Sequence, residues 1–331
     1  MAGLHPLCFG GRPTSTSCER PRPTALAAIH SVAMALRIVV SRHSVFYSPL
    51  ISTLAAGFLE RQNLSAEYGV LQKGQRSSIL IHQGAADIVQ SAVASNWKPR
   101  EAGESPLPVH FAQINQRDGF FLVARKPDSA FVWTKLEGRT LMADHGLQPI
   151  TMLKYAAKSN GVDWKTVRLV DAGTPEEMQS AFRASDVDYI HLQAPASHQL
   201  EAEGAGSIVA SVGESMPPVA FSSLCCSRDF LRTDACTRFL EAFRRAREWV
   251  RSAPAEEIAQ KQASYFPDIP GRVLAAAITR YQTVGNWQGG VAIPRDLYEQ
   301  ALNVFESAGE IRTRHPYEEV CATPAAVPSV S

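Results

Sequence analysis

From Leu36 onward the chain alternates short apolar runs with stretches whose apolar residues recur at helical spacing, the pattern of an α/β protein with largely parallel sheets. Leu36–Val40 predicts the opening strand. The loop Arg42–Ser48 follows, then a helix opened by Ser48-Pro49 that gathers Leu50, Leu54, Phe58 and Leu59 towards one face. Ala66–Leu71 predicts a second strand, and Ile79–Ile81 a short helix after Gly74. In Gly84–Ser91 small residues lead into a brief apolar strand with a polar exit. Val109–Ile114 and Phe120–Val123 flank Asn115–Gly119, whose Asp118-Gly119 pair suits a tight turn.

The theme recurs further along the chain. Thr140–Ala143 predicts a strand, followed by a helix carrying Ile150, Leu153, Tyr155 and Ala157. After the strand Val167–Val170, Thr174-Pro175-Glu176-Glu177 has the capping-box pattern of a helix start. Asp188–Leu192 repeats the Asp87 strand, and Val219–Leu224 carries the chain back to the first half. Beyond Asp229 the pattern is helical: Phe239, Phe243, Ala246 and Val250 line one face, and Val273–Tyr281 and Leu297–Ala308 predict further helices. No internal sequence repeat accompanies this order.

These elements divide into two lobes, each a mostly parallel sheet flanked by helices. Residues 34–126 and 220–312 form the first lobe, residues 127–219 the second, and residues 313–331 a flexible tail, with hinges near Lys126 and Val219–Leu224. Met1–Ala33, rich in Pro, Ser, Thr and Arg, has no period that could bury a face and is expected to be a disordered or leader segment. Two readings of it stand. Arg20 and Arg22 before the apolar Ala25–Ala33 form a weak export signal, which places the protein outside the cytoplasm; a start at Met34 leaves it inside.

Charge narrows the possible partners. With 33 basic and 32 acidic residues the net charge is +1, so no global field attracts nucleic acid, and no apolar run is long enough to span a membrane. The densest basic run, Arg244, Arg245, Arg247 and Arg251, alternates with Glu241 and Glu248 and reads as a solvated helix face. Six cysteines are too few for a disulfide framework, and Cys225, Cys226 and Cys236 lack zinc-site spacing; neither a metal nor another cofactor is expected.

In open α/β sheets ligands bind beyond the carboxyl ends of the strands. That rule selects His43, Phe46, Tyr47, Gln72, Gln90, Ser91, Asn115 and Gln116 from the first lobe, and Asp144, His145, Gly146, His191 and Gln193 from the second. Phe46 and Tyr47 offer planar faces, while Ser91, Asn115 and Gln193 offer uncharged donors and acceptors. Gly146 opens a helix whose exposed amides favour an anion. Each has a structural alternative: core aromatics for Phe46 and Tyr47, a helix cap for Ser91, ordinary loop histidines for His43 and His145.

The opening strand and aromatic loop (Leu36–Tyr47), Gly84-Ala85-Ala86-Asp87-Ile88 with Ser91, Leu136-Glu137-Gly138-Arg139, Tyr281-Gln282 before Trp287, Ile293-Pro294, and Leu297–Ile311 together carry a resemblance. Over roughly Leu36–Ile311 the chain resembles the substrate-binding proteins of ABC importers for nitrate, taurine, alkanesulfonates and pyrimidine thiamine precursors. The resemblance implies a two-lobed type II periplasmic-binding-protein fold, a small polar or anionic ligand such as a sulfonate, carboxylate or pyrimidine, and an ABC permease as partner. Two alternatives remain: an enzyme on the same fold, which would need an activated group such as Cys225 or Cys226 in the cleft, and a cytosolic small-molecule sensor.

Overall fold

The structure, a computed structural model, describes residues 34–72 and 74–322. The readings of Met1–Ala33 as leader or misread start lie outside those residues, as does the end of the tail beyond residue 322. The chain opens with β1 (Met34–Val40), α1 (Ser48–Ala55), β2 (Leu64–Val70), α2 (Ser77–His82), β3 (Ile88–Ser91), α3 (Trp97–Glu101) and β4 (Val109–Asn115). The middle third holds β5 (Phe120–Ala124), β6 (Thr140–Ala143), α4 (Leu147–Ser159), β7 (Arg168–Val170), α5 (Pro175–Ala184), β8 (Tyr189–Gln193), α6 (Ala196–Ala202) and β9 (Ser207–Ser211). After β10 (Ser222–Cys226) come the helices α7 (Asp234–Ser252), α8 (Ala255–Gln262), α9 (Gly271–Val284), α10 (Arg295–Ser307) and α11 (Tyr317–Val320).

The strands form two sheets of one topology, β2-β1-β3-β10-β4 and β7-β6-β8-β5-β9. In each, three parallel strands are joined by an antiparallel fourth that arrives from the other lobe: β10 pairs with β3 and β4, and β5 with β8 and β9. The repetition absent from the sequence is therefore present in the topology. The two aspartates that looked alike in sequence share a job. Asp87 accepts from the Arg37 backbone N–H at 2.8 Å and pairs with its guanidinium, and Asp188 accepts from the Thr140 N–H at 2.9 Å. Each fastens the start of one central strand to its neighbour, at the opposite end from the strand tips.

Three expectations need correction. The sequence pattern puts the strand Phe120–Val123 in the first lobe, behind a tight turn; the strand, β5, belongs to the second sheet, because Gln116–Gly119 is a crossover between sheets and not a hairpin. Arg247 does not join the solvated basic face. It shares the helix face of Phe243 and Val250, is 1% exposed, and donates to the carbonyls of Gln113, Ile114 and Gln288, while Arg244 pairs with Glu241 and Glu248 on the outside. Burial lowers the Arg247 pKa to about 9, which leaves it charged and committed to those carbonyls. Nor is the tail loose over its first ten residues: Ala322 N–H donates to the His110 carbonyl at 3.0 Å, and buried Val320 and Cys321 cover the edge strand β4.

An aromatic cluster lies under the crossovers. Phe46 and Phe121 sit 5.2 and 5.5 Å from the ring of Tyr281, which is 5.7 Å from Trp287. The Tyr281 hydroxyl donates to the Gly119 carbonyl at 2.8 Å and accepts from the Ala194 N–H at 3.0 Å, so α9 ties a crossover to the second lobe. The packing is close enough that a Cβ on Gly119 would stand 2.3 Å from the Phe46 ring. Gly119→Ala should therefore destabilise the protein by about 1–3 kcal/mol, read as a lower urea midpoint, because a rigid ring offers no room to yield. A midpoint unchanged from wild type would refute that packing.

Buried histidines set the acid limit. Burial lowers the pKa of His110 and His191 to about 3 and of His198 to about 4. These rings are neutral when folded and take up protons when unfolded, so their stabilising contribution is complete above about pH 6.5 and declines as pH falls towards 4. The urea midpoint should drop clearly between pH 7 and pH 5, and His198→Gln should flatten that slope.

Candidate functional site

Strand tips from both sheets face one cleft of about 680 Å³. The first lobe contributes Ser41–Ser44 after β1 and the α8–α9 loop Tyr265–Ile269; the second contributes the start of α5 and Gln193–Ala196 after β8. The walls are held by specific bonds. Ser41 donates from its backbone N–H and hydroxyl to the Gln90 amide oxygen, at 3.0 and 2.6 Å, which fixes the exit of β1 against that of β3. The His43 ring stacks on Phe266 at 4.4 Å. Its Nε2 lies 2.6 Å from the Tyr265 carbonyl, an obligate acceptor, so Nε2 carries the proton and Nδ1 accepts from the Tyr68 hydroxyl at 2.8 Å.

The lobes meet behind this wall. Arg42 donates across the cleft to Asp144 at 2.5 Å, and the Ser44 hydroxyl donates to the Ala194 carbonyl at 2.7 Å. Burial by itself would lower the Arg42 pKa and raise that of Asp144, yet their mutual attraction reverses both shifts. The other Asp144 oxygen accepts from the Gly146 N–H at 2.8 Å at the start of α4. Arg42 also lies 5.6 Å over the ring of Phe120, which stacks on His191 at 4.3 Å.

Beside this pair the junction is unusually rich in unsatisfied polar atoms. Both side-chain atoms of Asn115, both ring nitrogens of His191, Asp118 Oδ2 and Gln193 Oε1 are buried without a hydrogen-bond partner. Asn115 stands opposite Ser222 in the sheet, and Ser222 and Ser41 hydrogen-bond the buried Tyr47 hydroxyl. Asp118 Oδ1 accepts from the Phe120 N–H at 2.6 Å, and burial pushes the Asp118 pKa up to about 8. Buried polar groups normally find partners, because an unmade bond costs about 1–3 kcal/mol. These unmade bonds are concentrated at the meeting point of the two lobes.

The structure places His43 and Gln193 on the cleft wall, Asp144, His191 and Tyr47 buried against its residues Arg42, Phe120 and Ser41, Asn115 buried in β4 opposite Ser222, and Gln90 supporting Ser41. It leaves others aside. Phe46 is core. Gln72 donates to the carbonyl of Val70 on its own strand. Ser91 points from the other side of β3 to Ser95, at 3.0 Å. A Cβ on Gly289 would lie 3.3 Å from the Gln116 amide oxygen, on the α9–α10 side. His145 is exposed beside Asp171, and the Gly146 N–H is taken by Asp144. Sequence reasoning missed Arg42, Asp118 and Phe120. Arg42 directly precedes the predicted His43, whereas Asp118 was masked by its fit to a turn.

With the geometry established, the comparisons place the chain. YtlA of Bacillus subtilis (strain 168), named "Putative binding protein YtlA", is 25% identical over 302 residues, covering 89% of this chain and 90% of that protein. The ligand-binding component of an ABC-type import system from Staphylococcus aureus superposes with a TM-score of 0.70 at 12% identity, over 88% of this chain and 97% of the other. The periplasmic aliphatic sulphonate binding protein SsuA from Escherichia coli superposes with a TM-score of 0.69 at 13% identity, over 90% and 94%. The fold is thus the two-lobed α/β fold of periplasmic binding proteins. The NMT1/THI5-like sequence profile matches residues 47–257, most of both lobes, and the chain belongs to the NMT1/THI5-like family.

Proposed function

We propose that this protein is a solute-binding protein that captures a small polar organic molecule between its lobes and delivers it to an ABC-type importer. The observation that carries the reading is a cleft walled by both lobes and lined by Gln193, together with the unpartnered polar atoms of Asn115, Asp118 and His191 buried next to it at the lobe junction. A carrier needs a preformed, desolvated set of donors and acceptors, and two crossovers that let the lobes part. The names of the Staphylococcus aureus and Escherichia coli structures and of YtlA support the same role.

The chemistry of the cysteines favours binding over catalysis. Cys225, Cys226, Cys236 and Cys321 are buried, burial pushes the Cys225 and Cys321 thiols well above their ordinary pKa, and contact with Cys236 does the same for Cys226. A thiol held neutral is a poor nucleophile. The residues lining the cleft include no cysteine.

Purified protein incubated with a bacterial small-molecule extract, washed and denatured should release one enriched solute by mass spectrometry, unchanged in mass from its free form. A converted product would favour an enzyme, and an empty release would contradict the carrier reading. Asn115→Ala should keep the melting temperature within about 2 °C, since it removes unsatisfied groups, yet cut retention of that solute by about tenfold or more. A large loss of stability with unchanged retention would make Asn115 a structural residue.

A further inference from the structure

The relatives' names mention a sulphonate, and a helix start at the cleft would ordinarily invite an anion. The electrostatics of this cleft run the other way. The cationic side chains of the cleft, and the Gly146 and Thr174 N–H groups at two helix starts, are engaged within the chain, mostly by its own carboxylates. Arg42 is taken by Asp144, and so is the start of α4, through the Gly146 N–H. At the start of α5 the Glu177 carboxylate accepts from the Thr174 N–H at 2.7 Å while Thr174 Oγ1 accepts from the Glu177 N–H. Arg183 is held by Glu203 at 2.8 Å and by Gln179 at 3.0 Å, and the His43 Nε2–H is spent on the Tyr265 carbonyl.

What is left over is negative. Glu176 and Asp268 line the cleft mouth and form no ion pair with a described residue. Outside the cleft lining, at the lobe junction, the 1%-exposed Asp118 has one buried oxygen without a partner, and Gln193, 7% exposed, lines the cleft and has a buried amide oxygen without a partner. Asn115 and His191 are neutral and serve a donor or an acceptor equally.

We infer that the solute is a small organic cation, its ammonium, amidinium or guanidinium group received by Asp118 Oδ2 and the amide oxygens of Gln193 and Asn115. The inference rests on the solute-binding reading and specifies the charge of what is bound. An anion in the same place would have to displace Asp144 from Arg42 and would then face Glu176 and Asp268 as it entered. The N–H groups of a cation complete the acceptor bonds left open at Asp118 Oδ2 and at the amide oxygens of Asn115 and Gln193.

The proton balance provides a second signature. The charged groups acting on Asp118 are Asp144 and Arg42, which neutralise each other, and the neighbouring Tyr281 hydroxyl is kept neutral by burial. With its pKa near 8, Asp118 is protonated at neutral pH, so cation binding releases that proton and strengthens as pH rises through this range.

Isothermal titration calorimetry with benzamidine and benzenesulfonate, the same ring bearing opposite charges, tests the inference. Benzamidine should bind at least about tenfold more tightly, more so at pH 8.5 than at pH 6.5, and Asp118→Asn should weaken it by about tenfold while raising the melting temperature, since a buried ionisable group has gone. Should Asp118→Asn not fold, Glu176→Gln combined with Asp268→Asn at the exposed mouth should lower benzamidine affinity without moving the melting temperature. Benzenesulfonate binding as tightly as benzamidine, no heat with benzamidine, or affinity indifferent to these carboxylates would overturn the charge assignment. In each of those cases a solute retained in the extract experiment would leave the carrier reading standing.

Discussion

The contact between Arg42 and Asp144 governs the geometry of this protein. It joins the loop after the first strand of one sheet to the loop after the equivalent strand of the other, with the two side chains 28% and 10% exposed. Removing two charges from water costs several kcal/mol per ion, repaid only where geometry and additional hydrogen bonds are good. Here they are: Asp144 also accepts from the Gly146 N–H, and Arg42 lies over the Phe120 ring. A pair of this kind contributes little net stability and a great deal of positional specificity. It sets the lobes in one register and turns Phe120, His191 and Asp118 towards the same junction.

Around that contact the fold divides its labour. The starts of the strands are fastened by Asp87 and Asp188, far from the cleft. The crossovers are clasped from the C-terminal side, where Asn286 donates to the Arg117 and Asp118 carbonyls and Tyr281 to that of Gly119. Arg117 in turn donates to the Gly213 carbonyl, so the two crossovers bind each other. These bonds hold the two crossovers together and fix the backbone on either side of Asp118.

Much of this was legible in the sequence. Alternating apolar runs and helical spacings yielded the strand and helix order, and of the residues that the strand-tip rule selected, His43 and Gln193 line the cleft while Asp144, Asn115, Tyr47 and His191 are buried. The failures have physical causes. Asp118-Gly119 looks like a turn in any window of five residues; only knowing that β4 and β5 pair in different sheets makes it a crossover. Ser91 fell on the wrong side of β3 because alternation gives two faces but not which of them looks inward. Arg247 was judged by its charged neighbours, yet its spacing from Phe243 and Val250 puts it on the buried face. Arg42 and Asp144, 102 positions apart, could be matched only by the fold.

The claim that the lobes close on a solute and are registered by the Arg42–Asp144 contact is open to one direct measurement. Nitroxide labels at exposed Arg61→Cys and Arg168→Cys, one on each lobe, with Cys8 and Cys18 replaced by serine, would report the distance between lobes by pulsed electron paramagnetic resonance. The account predicts that the retained solute narrows the distance distribution and that Arg42→Ala broadens it towards longer separations. Distributions that are the same with and without solute, and the same in wild type and Arg42→Ala, would contradict it.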